Sequence, residues 1–181
     1  MKKAEAIWNT DRSEGGDMLL NQRWNYHNGL TNQFPTPVVR VLFAASGTVP
    51  AACIVTEIET VIEHGLYWAR AVSLAEARYL TAILNSETAR ERVEKYQARG
   101  QWGARHFDKV IFNLPIPVYE HKRKVHRDLA AAAERAETVA AAVALPEGVK
   151  FQRARSIIRA ALVKDGVASE IDALVAGLLD A

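Results

Sequence analysis

Between Arg99 and Lys109 the chain gathers side chains suited to one task. Arg99 and Arg105 carry planar forks that match phosphate or the guanine edge, and Gln101 can pair with a base edge. Trp102 and His106 can stack on a base, while Gly100 and Gly103 permit close backbone approach. Lys109 extends the charge, and thirteen residues later Lys122, Arg123 and Lys124 add three cations in a row. Cations of that kind contact phosphates, and so position a nucleic acid rather than read it. A surface loop whose Trp102 and Phe107 fold back into the core would have the same composition, and a charged run is also what a solvated helix face shows.

The charge distribution favours a polyanion on one face. From Lys95 to Arg127 eight basic residues stand against two acidic ones, a local +6; the chain total of +2 leaves −4 for the rest. A locally basic surface on a nearly neutral protein is the footprint of phosphate contact. DNA and RNA fit this composition alike.

Other chemistries lack their residues. No G-x-G-x-x-G or P-loop follows an apolar run, and Ser46-Gly47-Thr48 reads as a turn, so no cofactor site is expected. His27, His64, His106, His121 and His126 have no metal-ligand spacing, and His121 and His126, five apart, do not share a helix face. Cys53 is the only cysteine and sits in the apolar run Ala51 to Ile58, where a thiol is expected as inert filling. Glu57, Glu59 and Glu63 read as surface charge. No catalytic residue and no metal site is therefore assigned. The chain of 181 residues holds no apolar run long enough for a membrane span, and its first residues lack the apolar stretch of a secretory signal, so the expected compartment is the cytoplasm and no membrane partner is expected.

The elements that must carry these residues follow from periodicity. Leu20, Trp24 and His27 after Asp17 predict a short helix, and Asn28-Gly29 a loop running to Pro35 and Pro37. "VVRVLFAA" (38–45) and "AACIVTEI" (51–58) predict an antiparallel hairpin, and "LYWARAV" (66–72) a further strand. Ser73 and Glu76 form a capping box before a helix burying Ala77, Leu80 and Leu84 on one face. A second helix with Val93 and Tyr96 inward is expected to end at Gly100, and "VIFNLPIP" to be extended because residues before proline avoid the helical region. From His121 to Val143 the residues Val125, Leu129, Ala132, Ala136, Val139 and Val143 form a heptad seam rich in alanine. Two amphipathic helices follow, with Ile158, Leu162, Ile171, Leu174, Val175 and Leu178 as the expected buried set. The expected fold is α+β: a small mixed or antiparallel sheet with flanking helices, then a C-terminal helical bundle or hairpin. Its divisions are an N-terminal helix and loop (1–37), an α/β domain (38–120) and a helical tail (121–181).

The stretch "EARYLTAILNSETARERVEKYQARGQWGARHFDKVIFNLPIPVYE" resembles the closing element of target-recognition domains of bacterial restriction-modification systems. It is similar to the C-terminal part of adenine-specific DNA methyltransferases and, more distantly, to type I specificity subunits. The shared order is a helix ending in Leu84-Asn85-Ser86, a second helix, a glycine-containing loop from Arg99 to Gly103, the apolar Val110 to Phe112, Pro115-Ile116-Pro117 and a long helix from His121. The resemblance extends over roughly residues 36–180 and implies recognition of double-stranded DNA. In it Arg99, Gln101, Trp102, Arg105, His106 and Lys109 approach the duplex, with Lys122, Arg123 and Lys124 over phosphates. It also implies a partner, a methyltransferase catalytic domain or subunit. The chain lacks the glycine-rich S-adenosylmethionine motif, and Leu114 breaks the Asn-Pro-Pro-Tyr type of catalytic motif, so the cofactor is expected only in a separate catalytic domain. The alternative is an assembly role, in which helix 121–143 docks on a methyltransferase or on a second copy of the chain.

Overall fold

The computed structural model describes residues 2–11, 16–44, 50–63, 65–96, 99–100, 103–104 and 108–180. After a helix α1 (Lys2–Asp11), a short α2 (Leu20–Trp24) and two single 3-10 turns, three strands form an antiparallel sheet. Strand β1 (Arg40–Ala44) lies in the centre, between β2 (Ala52–Val55) and β3 (Leu66–Arg70). Alternation sorts its side chains. Val41 and Phe43, beside Ile54, Ala52 and Tyr67 of the flanking strands, join one core cluster, and Phe112 meets Phe43 and Tyr67 edge-on at 6.1 and 5.7 Å.

The opposite face of β1 holds a fully buried arginine. The Arg40 guanidinium donates to the carbonyls of Thr60 (2.7 Å) and Glu57 (2.6 Å), which ties the β2–β3 connection to the sheet. Buried Gln33 does the same further along: its amide donates to Ile62 O and accepts from Ile62 N, both at 2.8 Å. Loop backbone that loses water must find such partners. Cys53 lies opposite Leu42 in the ladder and is exposed, which corrects its expected role as filling: strand parity takes it off the face that packs under the helix.

Helix α3 (Leu74–Asn85) crosses that packed face. Ser73 Oγ accepts from Glu76 N (3.1 Å), and the Glu76 carboxylate accepts from Val72 N (2.6 Å), a capping box displaced by one residue. Ala77 and Leu84 pack toward the sheet, while Tyr79, Ala82 and Ile83 pack toward later helices, so the buried face is wider than the single stripe expected. Ser86 caps α4 (Glu87–Glu94) through Ala89 N (3.0 Å), and Asp172 accepts from the amides of Glu87 and Thr88 (2.8 and 3.3 Å). Helix α4 ends six residues before Gly100, and Tyr96, expected inward, is 62% exposed because it lies beyond the last helical turn.

Two-residue strands follow, β4 (Arg99–Gly100) and β5 (Gly103–Ala104), paired antiparallel. The expected extended run at Val110–Phe112 is instead a 3-10 segment, Asp108–Asn113, which turns Ile111 fully into the core beside Leu84 and Val93. Irregular chain through Pro115 and Pro117 then leads to α5 (Lys124–Ala141), which begins three residues later and ends two earlier than the heptad pattern suggests.

Leu129 and Ala132 of the seam are buried, together with His126, Ala130 and Ala133. The face is therefore broad enough to meet both α3 and α7 (Val167–Leu179), and its alanines allow close approach. Gly166, at φ 94°, turns α6 (Phe151–Asp165) into α7. Of the expected buried set, Val175 and Leu178 are buried, joined by Val167 and Leu179, while Ile171 and Leu174 are partly buried. Helix α6 buries no residue completely; Ile158 and Leu162 are half-covered because α6 lies outermost on α5 and α7.

One core joins Tyr79 and Ile83 of α3 to Leu129 and Ala133 of α5 and to Val175 and Leu178 of α7. Arg78 reinforces that junction with ion pairs to Glu134 (2.7 Å) and Glu137 (3.0 Å). The fold is α+β, with a small antiparallel sheet and a C-terminal helical part. No helix among the described residues is long and apolar enough to cross a membrane.

Candidate nucleic-acid interface

The three cations Lys122, Arg123 and Lys124 sit on the turn entering α5, all exposed. Four hydrogen bonds fix the chain around them. Tyr79 donates its hydroxyl to Pro117 O (2.9 Å), Glu120 N donates to His126 Nδ1 (2.9 Å), and Arg127 donates to the carbonyls of His121 and Lys122 (2.8 Å each). Lys124 is held by Asp128 at 2.6 Å. Lys122 and Arg123 have no side-chain hydrogen bond or ion pair among the described residues, so both can take an anion without breaking an internal contact.

His126 is the keystone of this turn. It is fully buried, stacked near Tyr119 (6.0 Å) and tilted against Tyr79 (4.7 Å). Its Nδ1 accepts the hydrogen bond from Glu120 N, so the neutral ring carries its hydrogen on Nε2, which has no partner among the described residues. Burial lowers its pKa, the Arg123 charge lowers it further, and Glu120 opposes both. Burial likewise pushes the Tyr79 phenol up to about 12 against the influence of Arg123. Both rings are therefore neutral at physiological pH, and the charge of the turn belongs to its exposed cations. Beside them a shallow cleft of about 420 Å³ is lined by Val72, Ser73, Tyr119, Glu120, His121 and Lys122.

The second expected contact region is the stretch from Arg99 to Lys109, part of which is the short hairpin. Arg99 lies in β4 opposite Ala104, and Lys109 lies in the 3-10 segment. The side chains of Arg99 and Lys109, and residues Gln101, Trp102, Arg105 and His106 altogether, lie outside the described residues. The fold does place the segments. Ile111 and Val93, next to the hairpin in sequence, pack on Leu84 at the C-terminal end of α3, whereas Lys122 lines a cleft with Ser73 at its N-terminal end. Twelve residues of helix separate those ends, roughly 18 Å.

A further basic cluster lies outside the basic stretch of the sequence: Arg155 and Arg159 of α6, with Arg90 of α4 near Arg159. Its signal was present as two arginines four apart in "RARSIIR", which amphipathic periodicity alone treats as a polar face. Among the described residues no group of three or more His, Cys, Asp or Glu side chains could hold a metal ion. Comparison with models of known families, with curated proteins and with solved structures finds no match to this chain.

Proposed function

We propose that this chain is a DNA sequence-recognition module of the restriction-modification type, which binds duplex DNA without transferring a methyl group itself. The observation that supports it best is the pair of unpaired cations, Lys122 and Arg123, on a turn pinned by Tyr79, His126 and Arg127. A phosphate-binding surface gains most when its cations are already in place, since little side-chain or loop freedom is then lost on contact. In this reading Lys122 and Arg123 set the register on the backbone, and the stretch of sequence that holds Arg99, Gln101, Trp102 and Arg105 reads base edges. S-adenosylmethionine and the flipped adenine belong to a partner methyltransferase domain or subunit in the cytoplasm.

Assembly through the seam of α5 is the weaker reading, because Leu129 and Ala132 are already buried within this chain. The deciding experiment is fluorescence anisotropy with a randomised duplex pool across a salt series, followed by sequencing of the bound fraction. A steep salt dependence with an enriched motif supports the proposal; no binding at low salt refutes it.

A further inference from the structure

Arg155 and Arg159 stand one turn apart on the same face of α6; Arg155 reaches Pro50, two residues before β2, and Arg159 lies within electrostatic reach of Glu87 and Arg90 of α4. The Arg155 guanidinium lies 5.6 Å from the Phe151 ring centre and donates to Pro50 O at 3.4 Å, a neutral acceptor that leaves its charge uncompensated. Arg159 makes no hydrogen bond or ion pair among the described residues. Although much of Arg159 faces solvent, partial desolvation of its guanidinium lowers its pKa, and the charges of Arg155 and Arg90 add to that effect while Glu87 opposes it.

The carboxylates nearby are already engaged. Glu87 takes two hydrogen bonds from Arg90, one of 2.8 Å to Nε, and Asp172 caps the amides of Glu87 and Thr88. Like charges at this helical spacing are unfavourable, by a few tenths of a kcal/mol. Two forks on one face, offset only by the Glu87 carboxylate that Arg90 already holds, are completed by an anion with several oxygens, and a phosphodiester offers two in the plane a guanidinium matches.

From these positions we infer that Arg155 and Arg159 form a second phosphate clamp for a polynucleotide backbone. The inference rests on the duplex-binding reading and deepens it. Helix α4 lies between the two regions in sequence: Glu87 at its first residue is near Arg159, and its last residue, Glu94, comes five residues before the hairpin at Arg99. Eight residues of helix span roughly 12 Å, or about three to four base steps at 3.4 Å each. One tract of duplex along α4 can therefore meet the clamp at one end and the hairpin at the other.

The test compares wild type with R155Q/R159Q, R155K/R159K and E87Q in anisotropy titrations of a random-sequence duplex across a salt series. Two lost phosphate contacts lower the slope of log affinity against log salt by about 1.8. The lysine pair keeps that slope, because counterion release depends on charge rather than on the fork, whereas a merely structural role for these arginines would not be rescued this way. E87Q, which removes the opposing carboxylate, binds more tightly at low salt. Wild-type binding with an unchanged slope in R155Q/R159Q overturns the clamp and leaves the recognition proposal standing. Absence of binding by wild type overturns both.

Discussion

Neutralising Lys122 and Arg123 together as K122Q/R123Q isolates the turn entering α5 from the rest of the surface. Lys124 is left in place because Asp128 already holds it, so its contribution would be reduced by the cost of releasing that pair. Neither replaced side chain makes an internal hydrogen bond or ion pair among the described residues, and surface changes of this kind alter stability by no more than about 0.5 kcal/mol. If each cation neutralises one phosphate, the salt slope falls by about 1.8, at roughly 0.9 per contact. Between about 50 and about 200 mM salt, wild type then loses roughly 12-fold more affinity than the variant. The assay is anisotropy with a labelled duplex at a fixed pH of 7.5, because Arg123 lowers the pKa of His126 and its removal would otherwise mix proton binding with phosphate binding. Denaturant unfolding of both proteins confirms that the fold is unchanged. Equal slopes and equal affinities would remove this turn from the interface and, with it, the main support for the proposed function.

Three further outcomes test the scaffold. The buried His126 has a lowered pKa, so the unfolded chain binds more protons than the folded one below about pH 6.5, and the stability due to its neutral form, complete above that pH, is lost as pH falls through the lower folded value. Urea midpoints should decline more steeply from pH 7 toward pH 5 in wild type than in H126Q; parallel declines would reject the role given to this ring. Gln33→Ala leaves the N–H and C=O of Ile62 without their partner and should cost roughly 1–3 kcal/mol in chemical unfolding, while a loss near zero would show that water replaces the side chain. Asp172→Ala should cost about 1 kcal/mol and speed exchange of the Glu87 and Thr88 amides, whereas Asp172→Asn, which keeps an acceptor, should cost less.

What was legible in the sequence depended on whether a short-range rule decided the outcome. The hairpin of β1 and β2 and the Ser73 start of α3 were readable because strand parity and capping act within a few residues. Helical periodicity turns Tyr96 inward only if the helix continues past Glu94, where it stops. The extended reading of Val110–Phe112 used the proline rule beyond its reach: Pro115 restricts only Leu114, and burial of Ile111 decides the conformation before it. Neither Arg40 nor Gln33 could be recognised as buried, since their partners, the carbonyls of Glu57 and Thr60 and the backbone of Ile62, lie 17 to 29 residues away and appear only once the loop folds over the sheet.

The same long-range effects change how the charge of this protein should be counted. The local +6 between Lys95 and Arg127 includes Lys124, which is paired with Asp128, and Arg127, whose guanidinium is anchored by two 2.8 Å bonds to the carbonyls of His121 and Lys122 where Arg155 makes a single bond of 3.4 Å. It omits Arg155 and Arg159, which lie outside the basic stretch in sequence. Counting by availability gives four cations in the two patches, Lys122, Arg123, Arg155 and Arg159. At roughly 0.9 per phosphate these four support a salt slope of about 3.6 and no more. A measured wild-type slope well above that value therefore requires additional cations, and Arg99, Arg105 and Lys109 of the hairpin region are the first to test. A slope at or below it would mean that the hairpin, if it touches DNA, does so through Gln101 and Trp102, and that its contribution is to sequence preference rather than to electrostatic affinity.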